Sequence, residues 1–294
     1  MPDMTRYRAN PHLRGFVFLI EAQEHAQAGR TEEALDTLER ALAEGCRYRR
    51  EWLDGDPRLA ALQSLPRYEQ LAERSAARYS EDAAAARPHL MFAIPDNLPD
   101  AFGYPLLMVL HGNNSNSSET APHWTPLADA GWVVAVPQSS EIGATPGSFV
   151  WNDRDATAAQ IDLHLERVKR STSIDVGRIV LAGFSMGGLQ AIALALTRRI
   201  KVRGIIPVAA WLPPVPHVRD LRALVESGTT NKMIRAFGVV GEKDESVDGA
   251  RELFEVFSKN GMRAELEVRA GLGHEVPGDM NETLARAVAF VTAP

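Results

Sequence analysis

The stretch VLAGFSMGG, residues 180–188, decides how this chain is read. It passes from an apolar, strand-like run through Gly183-Phe184-Ser185-Met186-Gly187-Gly188 into the apolar helical run MGGLQAIALAL. A serine between glycines at such a junction has two readings. Residues without a Cβ let strand and helix approach closely, which makes the turn a packing device. Alternatively, the sharp turn lifts Ser185 clear of both elements. The partial positive charge and free N–H groups of the helix N-terminus then stand behind a nucleophile. The second reading makes demands elsewhere in the chain: a base, an orienting carboxylate and further N–H donors.

On both sides of this stretch the sequence alternates. HLMFAIP, YPLLMVLHG, GWVVAVPQ, RIVLAGF, VRGIIPVAA, MIRAFGVVG and AELEVRAG are short runs rich in Val, Ile and Leu. Helical stretches such as DATAAQIDLHLERVKR (155–170) and DGARELFEVFSKNG (248–261) separate most of them. Buried strands alternating with helices predict an α/β fold, a mostly parallel sheet covered on both faces. Active groups in such sheets collect in loops at the carboxyl ends of the strands, and Ser185 stands at one.

A serine hydroxyl needs a histidine base and a carboxylate, which in sheets of this kind follow in the order Ser, Asp or Glu, His. EKDESV follows MIRAFGVVG and offers Asp244; Glu242 competes but lies closer to the strand end. LGHEVP follows AELEVRAG and offers His274, between a glycine-rich turn and Pro277. VLHGNNSNSSET follows YPLLMVL, and the N–H of Asn113 in it, with that of Met186, is expected to flank a developing oxyanion. His111, before a glycine at the strand end, reads as a brace for that loop. Trp151 in GSFVWNDRDAT and Trp211 in VAAWLPPVP are candidate walls of a substrate pocket, satellite core being the other reading of each. Phe184 reads as a packing residue.

Composition removes other classes. A net charge of −6 leaves no basic footprint for nucleic acid or anionic membranes. No segment approaches the ~20 apolar residues that span a bilayer. Arginines precede GFVFLI (15–20), but that run is too short for a signal peptide and no small-residue cleavage site follows. The single cysteine, Cys46, forms no internal disulfide and sits near the end of a helical pattern, which suggests packing. The expected location is cytoplasmic. HEVP lacks a second histidine four residues on, so neither a metal nor another cofactor is expected. No Arg or Lys cluster near these loops suggests a phosphate or sulfate leaving group.

Residues 1–86 are expected to form a helical domain and residues 87–294 the catalytic one. A helical run from Leu13 to Ala28 stops at Gly29, and TEEALDTLERALAEG restarts with Thr31 as N-cap. Ala34, Leu35, Leu38, Ala41 and Leu42 give it one apolar face. Asp56 with Pro57, and Ser64 with Pro66, read as two further helix starts. AGRTEEALDTLERAL resembles a tetratricopeptide repeat, and DPRLAALQSLPRYEQL resembles the degenerate segment that closes such arrays. A small helical appendage packed on the next domain is the alternative. Either would serve as a docking or lid element, and a protein partner or self-association through it is the corresponding expectation.

LHGNN, GFSMGG, GEKDESV and GLGHEVP, in this order over residues 88–294, resemble an α/β-hydrolase of the phospholipase/carboxylesterase or feruloyl-esterase-like type. The resemblance implies Ser185 as nucleophile, Asp244 as acid, His274 as base, and an oxyanion hole near Asn113 and Met186. It further implies a serine hydrolase acting on small-molecule carboxylic esters. A serine peptidase or thioesterase shares this triad, and an inert scaffold whose helical half binds a partner is the reading outside enzymes. The helical extension and the polar NNSNSS depart from the family pattern.

Overall fold

The computed structural model describes residues 4–212 and 217–293. The chain divides into two compact units, residues 1–87 with 140–150, and residues 88–139 with 151–294.

In the first unit the helices are α1 (Met4–Ala9), α2 (Arg14–Gln27), α3 (Thr31–Ala43), α4 (Arg50–Asp54) and α5 (Pro66–Ala85). Gly29 at φ 72° and Gly45 at φ 86° end α2 and α3 in the left-handed region, where a Cβ is strained. The apolar face of α3 is buried with Phe18, Leu53 and Leu71, each such side chain contributing ~1.5–3 kcal/mol. Cys46 is buried in the same core, and desolvation pushes its thiol up to about 11. Asp56 caps a short 3-10 turn by accepting the Arg58 N–H. The other expected caps shift. Arg30 precedes α3, with Thr31 its first residue, and Leu65 precedes α5, so neither Thr31 nor Ser64 caps a helix.

Residues 140–150, expected within the 87–294 domain, fold instead with these helices. The Ala144 carbonyl accepts the Arg47 N–H at 2.8 Å, and the Ile142 carbonyl accepts the Tyr79 hydroxyl at 3.1 Å. Thr145 Oγ1 accepts the Gly15 N–H at 2.8 Å, where a Cβ on residue 15 would stand 2.9 Å from Ala144.

In the second unit all seven apolar runs form strands: β1 (His89–Ala93), β2 (Tyr104–Leu110), β3 (Val133–Gln138), β4 (Ile174–Phe184), β5 (Gly204–Val208), β6 (Arg235–Gly241) and β7 (Ala264–Arg269). They form one sheet in the order β1-β3-β2-β4-β5-β6-β7, parallel except for β1. The helices are α6 (Ser117–Thr120), α7 (Arg154–Ser171), α8 (Met186–Leu196), α9 (His217–Glu226), α10 (Val247–Lys259) and α11 (Met280–Thr292). Alternate strand residues face opposite layers, as the pleat requires. Leu106, Met108 and Leu181 pack with residues of α7, α8 and α10, whereas Leu107, Val109 and Val180 pack with α11 and the segment around Trp124. The sheet is therefore covered on both faces, and polar chemistry is left to the strand ends.

Candidate active site

Ser185 stands between β4 and α8 at φ 55° and ψ −119°, a conformation that costs a side-chain-bearing residue ~1–3 kcal/mol. Its neighbours hold it there. A Cβ on Gly183 would lie 2.4 Å from the Gly187 carbonyl carbon, and one on Gly187 would lie 2.2 Å from the Leu110 oxygen. The Ser185 N–H donates to the Val208 carbonyl at 3.0 Å, and its own carbonyl accepts N–H bonds from Leu189 and Trp211. The packing reading of the glycines therefore holds, and its result is a strained serine 9% exposed at a strand end.

The loops after β6 and β7 converge on it. His274 Nε2 lies 2.8 Å from Ser185 Oγ, and His274 Nδ1 lies 2.8 Å from Asp244 Oδ2. A carboxylate only accepts, so Nδ1 carries the proton and Nε2 presents its lone pair to the hydroxyl. Asp244, 2% exposed, also accepts the Ser246 N–H at Oδ1. Gly241 lets the two loops meet. A Cβ there would stand 2.3 Å from both the Leu272 and Gly273 carbonyl oxygens. The Lys243 N–H bonds the Leu272 carbonyl, and Glu242 accepts the Gly271 N–H, bracing the histidine loop rather than contacting His274.

Asn113 is exposed on the loop after β2, next to Gly112, where a Cβ would stand 3.7 Å from Ser185 Cβ. Met186 opens α8, so its N–H has no intrahelical acceptor. Among the described residues neither the Asn113 nor the Met186 N–H makes a hydrogen bond. Trp211 meets His274 edge-on at 6.4 Å, and Phe184 lies 5.2 Å from the same ring. Trp151 does not line a pocket. It has no exposed surface and its indole N–H is spent on the His111 carbonyl at 3.1 Å, so the expectation of a substrate wall there is corrected to a core position.

Two features of the site, and one of the chain's path, lie outside the sequence reading. Gly241 had a signal in its glycine at a strand end, and Gln190 is the single polar side chain in the apolar run MGGLQAIALAL. The return of residues 140–150 to the helical unit had none. Among the described residues no group of three or more His, Cys, Asp or Glu is disposed to hold a metal ion, and no helix is long and apolar enough to cross a membrane.

Residues 105–290 match the family model for serine aminopeptidase, S33. Two curated relatives align over shorter stretches. A bifunctional acetylxylan esterase/xylanase from Neocallimastix patriciarum is 35% identical over 38% of this chain and 16% of its own length. Acyl-protein thioesterase 1 from Mycosarcoma maydis is 30% identical over 31% of this chain and 33% of its own. The chain thus spans at most a third of the length of either relative. Among solved structures, an uncharacterized protein from Bacillus cereus ATCC 10987 superposes with a TM-score of 0.58 at 23% identity, covering 95% of this chain and 87% of that one. With the strained serine at the end of β4 and a mostly parallel sheet covered on both faces, the family match leads to one assignment: the chain belongs to the serine aminopeptidase S33 family of serine hydrolases and has the α/β-hydrolase fold.

Proposed function

We propose that the protein is a serine esterase that cleaves carboxylic esters through an acyl-enzyme. The observation that carries this reading is the unbroken hydrogen-bond chain from the Ser185 hydroxyl through His274 to Asp244, with both links at 2.8 Å. Ser185 Oγ attacks the ester carbonyl carbon while its proton passes to His274 Nε2. The carbonyl electron pair moves onto oxygen, where the N–H groups of Asn113 and Met186 stabilise it; loss of one such donor costs ~3 kcal/mol in the transition state. Collapse expels the alkoxide, which takes the proton from Nε2. Water then attacks the acyl-enzyme with Nε2 as base, the acid leaves, and the proton returns to Ser185. Asp244 holds the tautomer of His274 and offsets its charge in the transition state.

Trp211, edge-on to His274, is the wall we assign to the substrate pocket, and the substrate is a small-molecule ester. The esterase and thioesterase named among the relatives support acyl transfer from oxygen or sulfur esters. The family's own description favours a second reading, release of amino-terminal residues from peptides. The helical unit, with its tetratricopeptide-like helix pair, we assign to docking a protein partner.

The test is a panel of p-nitrophenyl esters, thioesters and aminoacyl p-nitroanilides with wild type and Ser185→Ala. Turnover of the short esters, abolished by the substitution in a folded protein, is expected. Undiminished ester turnover by Ser185→Ala overturns the assignment, and preference for the anilides moves it to the peptidase reading.

A further inference from the structure

α8 is apolar apart from Gln190, which is 5% exposed. Its Nε2 donates to the Trp151 carbonyl at 2.7 Å. Trp151 in turn donates its indole N–H to the His111 carbonyl at 3.1 Å, and the two rings are in contact, tilted by 32° with centroids 4.7 Å apart. His111 is itself fully buried. Its Nε2 lies 3.3 Å from the Ser139 N–H, which only donates, so Nε2 holds the lone pair and Nδ1 the proton. Nδ1–H therefore donates to the Gly112 carbonyl, 2.8 Å away. Burial pushes the imidazole down to about 4, against the raising effect of the Gly112 carbonyl, and so keeps this neutral tautomer at neutral pH.

The consequence reaches the nucleophile through peptide geometry. The Gly112–Asn113 peptide is planar and trans, so fixing its carbonyl on His111 turns the Asn113 N–H the opposite way. At the other end, Gln190 lies four residues along the helix opened by Met186, on the same face. One buried chain thus ties the helix that carries one unpaired N–H to the peptide that carries the other.

We propose that Gln190, Trp151 and His111 form a positioning relay that fixes the separation and direction of the Met186 and Asn113 N–H groups, setting the oxyanion pocket before substrate arrives. This rests on the serine-esterase reading above. Packing alone does not account for the relay: apolar side chains fill the same volume without burying an amide, an indole N–H and an imidazole. The relay also gives Trp151 a role that its burial allows. Ser139 and Trp151 are the residues at which the chain leaves and re-enters the second unit around 140–150, so His111 holds both stems of that excursion.

Three variants test the relay. His111→Phe keeps an aromatic ring against Trp151 but removes the Nδ1–H. His111→Asn returns an amide N–H close to the Nδ1 position. Gln190→Leu cuts the link to α8 with an apolar side chain. Each is compared with wild type on enzyme titrated with diethyl p-nitrophenyl phosphate, reading kcat and KM for p-nitrophenyl acetate and inhibition by a trifluoromethyl ketone, which binds as an oxyanion. His111→Phe and Gln190→Leu are expected to lower kcat per titrated site by about 10²–10³-fold and to weaken the ketone in parallel, while KM holds. His111→Asn is expected to recover about tenfold of the loss, far less than one full donor is worth. Wild-type kcat in the Phe and Leu variants overturns the relay. So does a rise in KM with ketone affinity unchanged, or an Asn variant no better than Phe. If His111→Phe does not fold, Gln190→Leu decides the question by itself. A wild-type protein that gives no burst with the phosphate ester overturns the esterase reading, a result distinct from failure of the relay.

Discussion

Gly241→Ala places a methyl group where the acid and histidine loops touch. The added Cβ would stand 2.3 Å from the carbonyl oxygens of Leu272 and Gly273, against an ordinary contact of 3.4 Å or more. Both obstacles are backbone, so neither yields by a rotamer change, and the loop ending in His274 has to retreat by about 1 Å. Overpacking of this size costs ~1–3 kcal/mol of stability. A displacement of about 1 Å in catalytic geometry costs about 10²-fold in rate. His274 is held at 2.8 Å on both sides, so the retreat lengthens the bond to Ser185, the bond to Asp244, or both. The assay is kcat for p-nitrophenyl acetate alongside thermal unfolding, with Gly278→Ala as the control, since nothing lies within 4 Å of a Cβ at that position. The expected outcome is a folded Gly241→Ala enzyme with a lower Tm and kcat reduced about 10²-fold, beside a control that matches wild type. Wild-type kcat in Gly241→Ala refutes the claim that close approach of these two loops sets the site.

Two further outcomes follow from side chains near the site and far from it. Trp211→Ala removes the ring edge-on to His274; kcat/KM for longer acyl chains relative to acetate is expected to rise by about tenfold, read from a p-nitrophenyl ester series. An unchanged acyl preference removes Trp211 from the pocket. His164, 1% exposed on α7, has both ring nitrogens without a partner among the described residues. Desolvation pushes its imidazole from 6.5 down to about 4, with Arg167 and His89 acting in the same direction. The unfolded chain therefore binds a proton that the folded chain refuses between those values. The stability is fully present above about 6.5 and is lost as pH falls through about 4, by ~3 kcal/mol for one such group. Denaturant unfolding of His164→Leu is expected to show a shallower fall over this range, with the remainder carried in part by His111. A slope equal to wild type contradicts the buried neutral state of His164.

The sheet and the meeting of Ser185, Asp244 and His274 were legible because each depends on local pattern. Short apolar runs became strands of five to eleven residues, and the three polar residues lie just past strand ends in the expected order. Trp151 was misread because a tryptophan in a strand-end loop carries no local sign of burial. Its position is set by the His111 carbonyl, forty residues away in sequence. The segment EIGATPGSFV, residues 141–150, has only loop chemistry, and its partners Gly15 and Tyr79 lie 130 and 63 residues off. No period or cap announces contacts at such separations. The misplaced caps at Thr31 and Ser64 have a smaller cause: at both starts a neighbouring residue in non-helical conformation takes the boundary without a side-chain bond. Gly241 shows the opposite lesson, since its glycine was visible but the carbonyls it accommodates belong to another loop.

The central claim is that Ser185 is an activated nucleophile, and active-site labelling measures that directly. Folded protein is treated with a fluorophosphonate, and the modified peptide is mapped by mass spectrometry, with Ser185→Ala and heat-unfolded wild type in parallel. The account predicts one phosphonyl group per chain, on Ser185, absent from Ser185→Ala and from the unfolded protein. No labelling of folded wild type, or equal labelling of Ser185→Ala, contradicts it.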